Sequence, residues 1–345
     1  MAGLGAARAL TAAGHQVVIY EKSQSIGGRM ATRRIEGCIV DHGAQNLKPG
    51  GSELADVMLH QLPTEDLIRI EMPVCLYRND GQILPSDPER EAEPKFAYRN
   101  GLTTLPKLLA QQLPAERTTF HHETRIYRLS ETEDGVTLYD EHHTEVGRAD
   151  AVIVTAPAPQ AADLLDHSAL YLRSSAEALD RIRALRNVEY GACLSVLLGY
   201  SPPIPAPPAY ALLAEDRANP LLWLAFEQVK ALERAPNGEA VLVAQLGPFF
   251  SRMCYLEEDP LVIGRALNEL KLLFGMQYDQ PTWAQVKRWK YSQPNGMVYF
   301  FEVNWPEMSS SVIISGDALR PENGRVHQAY ASGLEAAAFV LPRLA

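Results

Sequence analysis

The opening stretch, Ala2 to Glu21, constrains the fold more than any other part of the chain. Ala2-Gly3-Leu4-Gly5-Ala6-Ala7-Arg8-Ala9-Leu10-Thr11-Ala12-Ala13 is a run of small and straight-chain residues that predicts a helix, with Gly14 as its natural stop. Val17-Val18-Ile19-Tyr20 follows as an apolar strand with a carboxylate, Glu21, at its end. Helix, strand and terminal acid in this order make the later part of a Rossmann βαβ unit, whose helix N-terminus meets a pyrophosphate and whose acid binds a ribose. Gly3 then stands as the third glycine of G-x-G-x-x-G, 18 residues before Glu21. Counted from the place of the first glycine the interval is about 23, close to the roughly 20 expected. The first two glycines and their strand would lie before Met1, so the native protein is expected to extend upstream through an apolar strand ending in Gly-x-Gly. Such a central strand, burying about four or five apolar side chains, contributes on the order of 10 kcal/mol, which rivals the stability of a whole domain. A chain beginning at Met1 is therefore expected to fold poorly or to bind its nucleotide weakly.

At 345 residues the chain makes two domains or one large α/β domain. A composition of 46% hydrophobic and 21% charged residues supports a substantial core. The net charge of −10 argues against nucleic acid as a partner. Cys38, Cys75, Cys193 and Cys254 are far apart with no C-x-x-C pair, so buried free thiols are expected and no metal. No apolar run approaches the roughly 20 residues of a membrane span, and no basic segment leads into an apolar one at the N-terminus. The expectation is a cytoplasmic protein that does not bind membranes.

Further along, Ser25-Ile26-Gly27-Gly28-Arg29 is a glycine loop, and Cys38-Ile39-Val40 a short strand leading into Asp41-His42-Gly43-Ala44-Gln45. Residues 50–100 mix turns with short strands near 70–78, and Asn100-Gly101-Leu102-Thr103-Thr104-Leu105 is expected to open a helix reaching about Gln112. Arg125–Leu129, Val136–Tyr139 and Ala151–Val154 read as successive strands. The last is continuously apolar, as for a strand covered on both faces. A helix should follow from Gln160 to Leu165; strands dominate from Val188 to Val303, broken by a helix over about 260–273; and Ser201 to Pro208 reads as a proline-rich connector. Ser311–Ser315 is a strand feeding Gly316-Asp317, and a final helix is expected over about 325–341.

Glu21-Lys22-Ser23-Gln24-Ser25-Ile26-Gly27-Gly28-Arg29-Met30-Ala31-Thr32-Arg33-Arg34 resembles the segment after the second strand in flavin-dependent amine-oxidase-type proteins, and most of all the bacterial renalase-like oxidoreductases. Asp41–Gln45, Thr155–Gln160, Arg288-Trp289-Lys290-Tyr291, Gly316-Asp317 and Gly324-Arg325-Val326 resemble further motifs of that family, in its order. The resemblance implies an α/β fold: a Rossmann-type FAD-binding domain with an inserted substrate domain of mixed β-sheet and helices, as in amine oxidases and p-hydroxybenzoate hydroxylase. The expected division is residues 1–50, 101–165 and 306–345 for FAD, and 51–100 and 166–305 for substrate.

It also implies non-covalent FAD and a set of contacts. Gly3 would face the pyrophosphate, Glu21 and Lys22 the adenosine side, and Gly28, Arg29 and Met30 the phosphates and flavin. Gly43, Ala44 and Gln45 would run beside the isoalloxazine, with Ile126 meeting adenine and Gly316 and Asp317 the ribityl chain. Arg325 and Val326 would bring the last helix's N-terminus to the flavin's pyrimidine edge, favouring the reduced ring's negative charge. Three departures from the family pattern are Gln24 for arginine, Asn46-Leu47 for aromatic residues and Gln328 for glycine.

Arg325 stands where amine oxidases place an aromatic cage residue, which favours an anionic small-molecule substrate. The implied reaction is hydride transfer from a reduced nicotinamide or related dihydropyridine to flavin, with O2 as acceptor. Trp289, Lys290 and Arg325 are the candidate catalytic residues. Along a strand Trp289 and Tyr291 share one face, Arg288 and Lys290 the other, and either pair could line the pocket. Amine or other C–N oxidation, assisted by Lys290 through a water, is an alternative. A truncated, inactive, flavin-free gene product is another.

Overall fold

The computed structural model describes residues 1–172, 174–321 and 324–344. Ala2–Ala12 forms the first helix, and Gly14, at φ +97°, turns the chain into the strand Val17–Tyr20. This strand pairs in parallel with Thr118–His121, and Val152–Val154 pairs in parallel with Val312–Ile314. The two pairs are separate sheets that border one cavity. Here the burial expected from the apolar run at Val152 is only partly met. Val154 is buried, but Val152 and Ile153 are half-exposed, and Val18 is 48% exposed, because their faces and edges look into the cavity.

The final helix, Val326–Val340, crosses the first at backbone contact. A Cβ on Gly5 would lie 2.5 Å from the Tyr330 carbonyl oxygen, and one on Gly333 would lie 2.0 Å from that of Ala2. Gly3 is under no such constraint, since its Cβ would meet Thr155 Oγ1 at 3.5 Å. The glycine demanded by packing in this helix is Gly5, and what demands it is another helix.

Ile126–Thr132, Gly135–Asp140 and Glu145–Ala149 form an antiparallel meander. The third strand differs from the sequence expectation, which placed Ala151–Val154 next in succession. Glu145-Val146-Gly147-Arg148 has too little apolar alternation to read as a strand, yet it closes the meander, while Val152–Val154 crosses to Val312–Ile314.

The largest sheet has six strands in the order Trp283–Asn295, Glu189–Tyr200, Ala240–Leu246, Leu221–Phe226, Ala211–Ala214, Val74–Tyr77. One face buries Leu194, Val196, Leu198 and Leu242 against Val262, Ala266 and Leu270 of the helix Asp259–Phe274. On the other face, register places Leu76, Leu213, Trp223, Gln245, Ser195 and Lys287 in one row across the sheet. That row looks toward the segment 42–45 and the parallel strand pairs. No helix among the described residues is long and apolar enough to cross a membrane.

Candidate cofactor and substrate site

A continuous cavity of about 2280 Å³ runs from Glu21, past the first helix and the Gly27–Arg29 loop, to the cross-sheet row. Ordinary small-molecule pockets are roughly 300–1,000 Å³, so this one has room for a large cofactor together with a substrate. At its first end Glu21 is half-buried, with one carboxylate oxygen accepting from the Ser23 amide at 2.8 Å, and Lys22 is exposed beside it. Gly27 and Gly28 have φ of +116° and +52°, and nothing lies within 4 Å of a Cβ built on Gly28. The loop thus presents bare backbone to the cavity. Met30 differs from expectation: its side chain is packed in the core, at 3% exposure, so only its backbone borders the site.

Arg29 and Asp317 were expected to serve separate parts of a cofactor, and the structure instead joins them. Arg29 donates to both carboxylate oxygens of Asp317, at 2.7 and 2.8 Å, and to the Ser292 carbonyl at 3.0 Å. Tyr190 donates its hydroxyl to Asp317 at 3.3 Å. A carboxylate has about four lone-pair positions, so Asp317 keeps acceptor capacity toward the cavity. Gly316, at φ +145°, precedes it, and its amide donates to Ser332 Oγ at 3.0 Å.

The strip His42-Gly43-Ala44-Gln45 forms one wall. The His42 carbonyl accepts from Trp289 Nε1 at 2.8 Å and Ser195 Oγ at 2.9 Å, and the Gly43 carbonyl from Gln245 at 2.7 Å. Ala44 donates its amide to the Arg29 carbonyl at 2.9 Å. A Cβ on Gly43 would sit 2.0 Å from that same carbonyl oxygen and 3.3 Å from the Trp289 ring, so only glycine fits. His42 stacks on Trp289, ring centres 5.5 Å apart, and its Nδ1 is buried without a partner. Burial, then the charges of Arg33 and Lys287, lower its pKa to about 4, leaving a neutral imidazole at pH 7.

Gln45 differs from expectation in direction. Its amide nitrogen donates to the carbonyls of Asp41 and Gly43, and its oxygen accepts from Lys230 at 3.3 Å, so the side chain is spent inside the protein. Lys230 belongs to a fully buried quartet with Asp41, Glu227 and Arg234. Lys230 reaches Glu227 at 2.7 Å and Asp41 at 3.4 Å, while Arg234 reaches Asp41 at 2.7 Å and also pairs with Glu227. Burial alone would raise the Asp41 pKa, but Arg234 and Lys230 hold it down to about 2; burial pushes Glu227 up. Sequence reasoning missed this cluster. Its one local trace is Glu227 and Lys230, opposite charges three apart beside an apolar run.

The strand Trp283–Asn295 turns its Trp289 face to the cavity wall. Arg288 points the other way, donating to the carbonyls of Tyr255 and Glu257 and pairing with Asp259. Lys290 is exposed, 5.3 Å from the Tyr291 ring, at the cavity's margin. The lysine on the Trp289 face is Lys287, which sequence reasoning passed over, with Nζ 4.9 Å from that indole. Arg325 is exposed just before the last helix; Val326, its first residue, and Ile126 are half-buried on the cavity lining. The four cysteines are buried free thiols, and no group of His, Cys, Asp or Glu among the described residues could hold a metal.

The family model for flavin containing amine oxidoreductases matches residues 1–90 and 66–341. The chain belongs to this family. It is an FAD-dependent oxidoreductase. Solved structures share its fold at low identity. A protein from Exiguobacterium sp. named as a protoporphyrinogen oxidase aligns with TM-score 0.76 and 14% identity, over 99% of this chain and 96% of that one. Cyclohexylamine oxidase from Brevibacterium oxydans gives 0.74 and 14%, and putrescine oxidase bound to putrescine 0.73 and 12%, each over 99% of this chain and 97% of the other.

The residues present fit FAD. Two helix N-termini open on one cavity, the glycine loop leaves backbone bare, and Gly43 and Ala44 put backbone and a small side chain on its lining.

Proposed function

We propose that this flavoenzyme oxidises an anionic reduced nicotinamide or related dihydropyridine by hydride transfer, with dioxygen as terminal acceptor. The observation that carries this reading is the charge of the cavity lining. Arg33, Lys287 and Arg325 are among the cations on its lining, and no carboxylate pairs with Arg33 or Lys287 among the described residues. A phosphate or carboxylate placed beside Arg33 and Lys287 would find counter-charge, and an ammonium would find like charge.

FAD, when bound, supplies a two-electron acceptor that dioxygen reoxidises to yield peroxide. The protein's part is mostly to bind and orient. The strip 42–45, pinned by Trp289, Ser195 and Gln245, presents backbone and small side chains to a planar ring. Arg29, held by Asp317, fixes the loop after Gly28. Hydride leaves the donor without a proton being removed from it, so a strong general base is unnecessary. The neutral His42, stacked on Trp289, accords with that. Oxidation of an amine with Lys290 assisting would place an exposed ammonium at the cavity's margin in the leading role.

Anaerobic mixing of the FAD-loaded protein with each donor tests the reading. Reduced nicotinamide mononucleotide, in its several dihydro isomers, should bleach the flavin's visible absorbance, and putrescine or cyclohexylamine should not. Bleaching by the amines alone refutes it.

A further inference from the structure

The cross-sheet row ends at Lys287, on the edge strand Trp283–Asn295. Gln285, Lys287 and Trp289 alternate along that strand and so project from one face. Gln285 accepts a hydrogen bond from the Arg33 guanidinium at 2.8 Å, which holds this second cation beside Lys287. Lys287 stands 4.9 Å from the Trp289 ring and is half-buried. No carboxylate pairs with either cation among the described residues. The charges felt most by Lys287 are those of Arg33 and Lys22, so burial first and then these two cations lower its pKa. Two like charges held together, partly desolvated and with no counter-ion, oppose folding unless an anion joins them. Behind them lies the buried Nδ1 of His42, which also has no partner.

We propose that Arg33 and Lys287, beside the Trp289 indole, form the seat for a phosphate group of the donor. This rests on the reading above that the donor is a nucleotide, and adds where its charge is held. The guanidinium offers a planar fork and the ammonium a compact charge, which together match the two or three oxygens of one phosphate. The Trp289 ring, stacked on His42 and lying under the Lys287 ammonium, holds that ammonium in place. On the expected placement of FAD its phosphates would lie at the N-terminus of the helix Ala2–Ala12 and the Gly27–Arg29 loop, which would leave this seat for substrate.

The test uses the full chain loaded with FAD. Inorganic pyrophosphate is titrated against tryptophan fluorescence in the wild type, Lys287→Gln, Lys287→Arg and Arg33→Gln. Separately, KM is compared for reduced nicotinamide mononucleotide and for 1-benzyl-1,4-dihydronicotinamide, which carries no phosphate. We expect Lys287→Gln to weaken pyrophosphate binding about ten- to a hundredfold, as for loss of one charge-assisted bond. Lys287→Arg should restore most of it. The preference in KM for the phosphorylated donor should fall by a similar factor in Lys287→Gln. If neither donor bleaches the flavin but pyrophosphate binding still depends on Lys287, the anion seat stands and the donor reading falls. Wild-type pyrophosphate affinity in Lys287→Gln and Arg33→Gln overturns the proposal. So does an effect confined to FAD retention, which would make the bound phosphate the cofactor's.

Discussion

Replacing Lys230 by methionine is the most exacting test of how the site is held. The Asp41, Glu227, Lys230 and Arg234 side chains are wholly buried, and their formal charges cancel. Lys230→Met leaves two carboxylates facing one guanidinium. Removing one partner of such a group costs about 3–5 kcal/mol, because the remaining charge is buried without compensation. Against a total stability of roughly 5–15 kcal/mol that is a large fraction.

Glu227→Gln in the same chain restores neutrality while keeping an acceptor, so the double variant should recover about 2 kcal/mol or more of the loss. Burial already raises the Glu227 pKa, and losing Lys230 raises it further. A carboxyl whose folded pKa exceeds its unfolded value contributes stability at low pH that is lost as pH rises through the folded value. The deficit in Lys230→Met should therefore shrink on going from pH 7.5 to 5.5. Asp41, held down in wild type by Arg234 first and then by Lys230, keeps Arg234 in the variant, and the stability it contributes is lost only as pH falls from its unfolded value towards its folded one, below the pH 7.5 to 5.5 interval. Urea denaturation followed by circular dichroism gives the midpoints, with the slope checked for constancy. Because Lys230 also donates to Gln45, the flavin absorbance of the loaded variant should shift relative to wild type. A Lys230→Met protein within 1 kcal/mol of wild type, or a double variant no better than the single, refutes the reasoning.

Two further outcomes follow from the buried titratable groups. His42, with its pKa lowered to about 4, should add an acid-side loss of stability as pH falls from 6.5 towards 4, and His42→Asn should remove that increment in a series of thermal melts; an unchanged acid limb would contradict it. Burial raises all four thiols, Cys38 to about 12 and Cys193 to about 11, so Ellman's reagent should find no reactive cysteine in the native protein and four in denaturant.

The parts legible in the sequence were those written in local pattern. Small residues from Ala2 to Ala12 and the apolar strand after them specify a helix and a strand without tertiary help. Gly27 and Gly28 mark backbone at positive φ, and Gly43 a position with no room for a Cβ. What stayed hidden depends on pairing across long stretches of chain. Arg29 and Asp317, 288 residues apart, each suggested a cofactor contact, and nothing local says that they grip one another. Asp41 reads as a motif residue, while its partners Lys230 and Arg234 lie 189 and 193 residues on. Alternation on the strand Trp283–Asn295 showed which residues share a face but not which face turns inward. That is decided by the pairing of Lys287 with Ser195 and by the anchoring of Arg288 on the far side. Lys287, two positions before Trp289 and on its face, carried no local mark.

The crossing at Gly5 and Gly333 bears on what the cavity admits. Bare backbone on both sides of the contact sets the first and last helices at a separation that no side chain can adjust. On the proposed placement of FAD their amino ends, at Ala2 and Val326, would be the two jaws of a gauge whose opening is set by hydrogen atoms. A cofactor that satisfies both must have the right reach as well as the right groups. A shortened flavin lacking the adenylate half could engage one jaw and leave the other biting on water.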